Sequence, residues 1–151
     1  MDKLPTNTLN ATMKKFGAPG TQIKTFGRWT MLLRPTQVTL GSLVLICAEP
    51  ATQFSQLSQD AFTELHTVTR EIEQGLERAF AFDKINYLML MMVDPDVHFH
   101  IFPRYADPKN FEGHEFLDHS WPGPPDLTRT NPTSPDLHQV IITHIQQNLA
   151  I

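Results

Sequence analysis

One cysteine, Cys47, stands in the 151 residues. An intramolecular disulfide is therefore excluded, and a cysteine-based zinc site has too few thiols. Cys47 ends the apolar run Leu43-Val44-Leu45-Ile46-Cys47 and reads as a buried thiol. No apolar stretch approaches the roughly 20 residues that span a bilayer, so no membrane partner is expected. Met1-Asp2-Lys3-Leu4-Pro5 has no signal-peptide core, which makes the cytoplasm the default compartment. A basic stripe is missing too: 12 Lys and Arg face 16 Asp and Glu, for a net charge of −4. A nucleic-acid polymer is thus not an expected partner, although a few local groups suffice for a small anionic ligand. Internal repeats and linkers are also lacking, which leaves one domain over residues 1–151, with its core at about 25–105.

What is present is an ordinary globular mixture, 40% hydrophobic and 19% charged. A short helix is expected at Leu9–Phe16, ended by Gly17 and Pro19-Gly20. Two strand-like runs follow, Arg28–Arg34 and Thr39–Cys47, joined through Pro35-Thr36-Gln37. Residues 58–82 read as a long helix, with Ser58 as N-cap, a staple of Leu57 on Phe62, and a stripe through Phe62, Leu65, Val68, Ile72, Leu76 and Phe80. Its charges read as a solvated face. Ile85–Val93 is nearly all apolar and reads as a central strand buried on both sides, its methionines serving as core. Asp94-Pro95 separates it from a second strand, Asp96–Arg104, and the two should form an antiparallel hairpin. Residues 106–133 carry five prolines and little periodicity and read as an irregular loop. Ser134-Pro135 opens a final helix over 134–150. The order of elements argues an α+β fold, an antiparallel sheet with a long helix packed on one face and a C-terminal helix.

The chemistry concentrates in Asp96-Val97-His98-Phe99-His100-Ile101-Phe102-Pro103-Arg104. Side chains alternate along a strand, so Asp96, His98, His100 and Phe102 share one face, at intervals of about 7 Å. A neutral imidazole is a competent nucleophile toward phosphorus, and a second, protonated one can neutralise non-bridging oxygens. The same His-x-His spacing also suits metal ligands or two surface histidines, and spacing alone leaves the three readings open.

The segment resembles the signature of the histidine-triad (HIT) family, His-φ-His-φ-His-φ-φ followed by Pro-Arg. The tail sets the register: His100 takes the last histidine position, His98 the middle one and Asp96 the first. Leu40-Gly41-Ser42-Leu43-Val44-Leu45, the 58–82 helix and the 85–104 hairpin also come in the family's order, so that the resemblance runs from Arg28 to Arg104. It implies a HIT-like sheet and cleavage of a nucleotide phosphoanhydride or phosphoramidate, with His98 as the nucleophile that becomes nucleotidylated and His100 as its catalytic neighbour. It also implies a purine nucleotide substrate, no cofactor, no required metal and a homodimer.

Asp96, Arg104, Asn86 and Ser42 are the candidate substrate-binding residues. Arg104 suits a phosphate, Asn86 stands among apolar residues and needs partners, and Ser42 follows the glycine where relatives place a histidine. The chain departs from the family pattern at Asp96, at Ser42, and in the Gly-Gln-Ser/Thr loop, which the Asp94-Pro95 connection leaves no room for. These departures motivate a second reading, a nucleotide-binding module on the same scaffold without the chemistry. A cupin-like metal site is a third, but no glutamate follows His100 until Glu112. His114 and His119 match no zinc spacing, and Trp121-Pro122 reads as a stiff loop packing on the body.

Overall fold

The computed structural model describes residues 9–149, so the stretch read for a signal peptide lies outside the described residues. The elements run α1 (Ala11–Lys15), β1 (Gln22–Phe26), β2 (Trp29–Leu33), β3 (Leu43–Cys47), α2 (Gln59–Phe80), β4 (Lys84–Leu88), β5 (His98–Arg104), β6 (Lys109–Phe111), β7 (His114–Phe116) and α3 (Pro135–Leu149). Five strands form one antiparallel sheet in the order β1-β2-β3-β5-β4, and β6-β7 is a separate hairpin. The fold is the expected α+β arrangement.

Registry divides the sheet into two faces. Met31 pairs with Leu45 and Leu45 with Phe99, while Leu33 pairs with Leu43 and Leu43 with Ile101. These residues pack with Val68, Ile72 and Leu76 of α2 and with Ile141, Ile145 and Leu149 of α3 in the main core. Each such side chain withdrawn from water contributes roughly 1.5–3 kcal/mol. Trp29 is fully buried among them, and its indole N–H donates to the Ala61 carbonyl at 2.8 Å, which ties β2 to the first turn of α2. On the opposite face Leu32, Val44 and Ile46 meet Met13 of α1 in a smaller core, packed also by Phe16. His98 and His100 lie on this second face, opposite Ile46 and Val44.

Helix α2 starts where its cap residue dictates: Ser58 accepts from the Ala61 N–H at 3.1 Å, and Asp60 sits in the first turn. The stripe is buried as expected at Val68, Ile72, Leu76 and Phe80, while two other expectations for this helix change. Phe62 is 38% exposed and packs on Phe54. The charges are not a purely solvated face, because Glu64 accepts from Arg28, Glu71 pairs with Lys24, and Glu73 accepts from the Tyr87 hydroxyl. Each of those partners lies in or beside the sheet.

The largest correction concerns Ile85–Val93. The strand stops at Leu88 and lies at the sheet edge, so it is not a central strand. The strands buried along their whole length are β2 and β3. Residues 89–97 form a nine-residue loop, with Met91 in the left-handed region (φ 46°) and Met92 and Val93 88% and 82% exposed. The connection between β4 and β5 is therefore much longer than Asp94-Pro95, and its methionines are not all core. In the 106–133 segment, the β6–β7 hairpin turns at Glu112-Gly113, both with positive φ.

Gly41 is required by the turn before β3. Its φ is +84°, and a Cβ there would lie 2.9 Å from Cε2 of Phe80. Gly41→Ala is expected to destabilise the fold by about 1–2 kcal/mol from the backbone alone, with more from the clash. Urea denaturation of the two proteins checks this.

Candidate active site

The geometry of His98 follows from one hydrogen bond. Its Nδ1 lies 2.7 Å from the Asp96 carbonyl oxygen. A carbonyl can only accept, so Nδ1 carries the proton, and in the neutral ring Nε2 keeps its lone pair. The residue is 2% exposed and lines a cleft of about 280 Å³. Phe16 of the segment after α1 and Leu90–Asp94 of the long loop form the walls, with Arg34, Lys15 and Leu127. A salt bridge of 2.6 Å from Lys15 to Asp94 joins the two walls.

His100 adjoins it, with ring centroids 5.1 Å apart and the planes nearly perpendicular. Phe16 meets His100 edge-on at 5.5 Å, and Phe102 stacks parallel to it at 6.3 Å. His100 is 5% exposed, and its buried Nδ1 has no hydrogen-bond partner among the described residues. Burial lowers its pKa to about 4, assisted by the charge of Arg34 and by His98 and Lys15, with Asp94 opposing. At neutral pH His100 is therefore uncharged. The expected imidazolium is not supplied by this site as it stands, because neighbouring positive charge and desolvation both disfavour it.

The low value has a consequence for stability. An unfolded histidine near 6.5 takes up a proton as the pH falls, while the folded one resists until about 4. Stability present above pH 6.5 is thus expected to decline progressively down to about pH 4. His100→Asn should flatten that decline in urea titrations, and because His138 is shifted the same way by burial in both proteins, the difference isolates His100.

The other expected site residues are used inside the protein. Asp96 precedes β5, and its carboxylate accepts from the Thr12 N–H at 3.1 Å, while its own N–H donates to Thr12 Oγ1. It holds the start of α1 and is not aimed at a ligand. Ser42 is fully buried, donating to the Thr39 carbonyl and accepting from the Thr39 N–H. Arg104 shares the histidines' face of β5 but is 3% exposed and enclosed: Asp118 takes its Nε and Nη2, Asn86 Oδ1 takes Nη1, and the Gly123 carbonyl takes Nη2. The expected phosphate contact of Arg104 and ligand contact of Asn86 thus give way to a structural bond between them. His114 is exposed in β7, and among the described residues no three His, Cys, Asp or Glu side chains converge as a metal site.

Sequence reasoning passed over Arg34, Lys15, Phe16 and the long loop. Arg34 has the parity of Leu32 and so the same face as the histidines, but that signal is legible only once the β2-β3-β5 order is known.

Comparison with known proteins agrees with this architecture. The HIT domain family model matches residues 31–107, just over half of the chain. A histidine-triad protein structure from Sinorhizobium meliloti 1021 aligns with TM-score 0.76 at 23% identity, over 97% of this chain and 99% of that one. A histidine-triad protein from Bradyrhizobium japonicum gives 0.72 at 18% identity, over 94% and 97%. The diadenosine triphosphate hydrolase of Plasmodium falciparum gives 0.63 at 10% identity, over 85% and 76%. No curated protein sequence matches. The chain belongs to the histidine-triad (HIT) family.

Proposed function

We propose that this protein is a nucleotidyl hydrolase or transferase that cleaves a nucleotide phosphoanhydride or phosphoramidate through a nucleotidyl-histidine at His98. The observation that carries this reading is the bond from Nδ1 of His98 to the Asp96 carbonyl, which assigns the Nδ1–H tautomer to the neutral ring and so reserves the Nε2 lone pair for attack in a walled cleft. The Nε2 lone pair attacks the α-phosphorus, a P–N bond forms, and the bond to the leaving group breaks with its electron pair. A water molecule then attacks the same phosphorus. The P–N bond breaks, its pair returns to Nε2, and the mononucleotide leaves with the water's oxygen while the displaced proton passes to solvent. His100 lies beside this path as a neutral hydrogen-bonding group.

The test is a substrate panel of diadenosine polyphosphates, adenosine phosphoramidate, ATP and GTP, incubated with the protein in EDTA and resolved by chromatography. Metal-independent mononucleotide release establishes the reading. A second reading, a binding module without turnover, is favoured by Asp96 and Ser42, both committed to internal bonds where family members carry histidines. Nucleotide binding with no product from any substrate decides for it.

A further inference from the structure

Arg34 is the one arginine of the cleft lining, and it differs from its better-partnered counterparts. Arg28 reaches Glu49, Asp60 and Glu64, and Arg104 is paired with Asp118. Among the described residues Arg34 has no carboxylate partner. Its Nη1 donates to the carbonyl and the hydroxyl of Thr36, while its Nε is buried without a partner. Burial pulls its pKa down with no acid pulling it back. The acid lining the same cleft, Asp94, is held by Lys15. A partly buried cation without a counter-charge is costly to maintain.

Its position is fixed. The backbone N–H of Arg34 donates to the Ser42 carbonyl at 2.9 Å, and the fully buried Gln37 donates to the Arg34 carbonyl at 2.7 Å. The guanidinium carbon stands 5.8 Å from the centre of the Phe102 ring, whose other neighbour in the row is His100. Arg34, Phe102, His100 and His98 therefore follow one another along this face of the sheet, and Arg34, His100 and His98 line the cleft while Phe102 lies buried beneath it. Two buried nitrogens in that row, Nε of Arg34 and Nδ1 of His100, lack partners among the described residues. A guanidinium fork and an imidazole N–H together suit a tetrahedral oxyanion.

We propose that Arg34 and the Nδ1 edge of His100 form an anion subsite that takes a second phosphoryl group of the substrate, beyond the phosphorus attacked by His98. The inference rests on the nucleotidyl-transfer reading for the identity of the ligand, but the subsite itself is defined by these residues. It makes Arg34 a specificity residue, favouring ligands with a phosphate chain over those with a single phosphoryl group.

The experiment titrates inorganic pyrophosphate and AMP into wild type, Arg34→Gln and His98→Ala, followed by NMR of the arginine Nε–H and histidine ring signals. Pyrophosphate is expected to move the Arg34 and His100 signals. Its affinity should fall about ten- to hundredfold in R34Q, the range for one charge-assisted contact, with a much smaller change for AMP. In turnover, R34Q should raise KM for diadenosine polyphosphates far more than for adenosine phosphoramidate. Unchanged pyrophosphate affinity in R34Q, or binding that leaves the Arg34 and His100 signals in place, overturns the proposal. If R34Q does not fold, the wild-type titration still decides by which signals move. The two readings fail separately. Arg34-dependent pyrophosphate binding without turnover of any substrate removes the enzymatic reading and keeps the subsite, and His98-dependent turnover indifferent to Arg34 does the reverse.

Discussion

His98→Ala is expected to lower mononucleotide release by on the order of a thousandfold or more, with the fold retained. A residue that forms the covalent bond cannot be replaced by its neighbours, and removing such a nucleophile typically costs at least this much. His100 is not a substitute, because its buried Nδ1 and its own place along the strand put its ring about 5 Å away, turned nearly perpendicular. The loss should appear in kcat, with little change in the binding of the nucleotide. Rapid quenching of the wild type with labelled substrate should trap an acid-labile, base-stable phosphoamide that H98A lacks. Loss of turnover together with loss of the folded spectrum would instead mean that the substitution acted on the smaller core.

The second large effect lies away from the cleft. Arg104→Met is expected to destabilise the protein by about 3–5 kcal/mol, because it strands a buried carboxylate. The Asp118 side chain is 2% exposed and is held by Nε at 2.7 Å and Nη2 at 3.0 Å of the same guanidinium. The remaining bonds, to Asn86, Ser120 and the Gly123 carbonyl, join β4 and the 117–125 segment to the end of β5. For a domain of this size the melting temperature should drop by roughly 6–20 °C. Asp118→Asn added to R104M should restore part of the loss, since the stranded charge is then gone. Scanning calorimetry of the single and double variants measures both. A loss as large in the double variant as in R104M would place the effect in packing of the arginine stem and not in the charge.

These cases show what can be read along a chain and what cannot. The period-2 pattern of β5 places His98 and His100 on one face, and the cap and stripe of α2 locate the helix to within two residues. Those signals are local. Strand β1, with Ile23 its one fully buried residue, has too little apolar alternation to stand out. The Ile85–Val93 run misleads because apolar side chains suit a ligand cleft as well as a core, and hydrophobicity does not say which. Arg104 and Asn86 look like free polar groups until Asp118, 14 residues further on, is folded back onto them. The Glu112-Gly113 turn is legible in principle, a glycine turn between Phe111 and Phe116, but is masked by the surrounding prolines.

The group that orients His98 belongs to the main chain. Every amino acid at position 96 brings the same carbonyl, so no single codon change there can delete the acceptor that sets the tautomer. What a change at 96 does remove is the carboxylate on Thr12, and with it a tether of α1. Variation at this position is thus steered toward how the cleft is covered, while the reactivity of the imidazole is insulated from it. An aspartate in place of a histidine is compatible with the proposed role of His98 for that reason, and substitutions at position 96 are expected to alter access to the site before they alter chemistry.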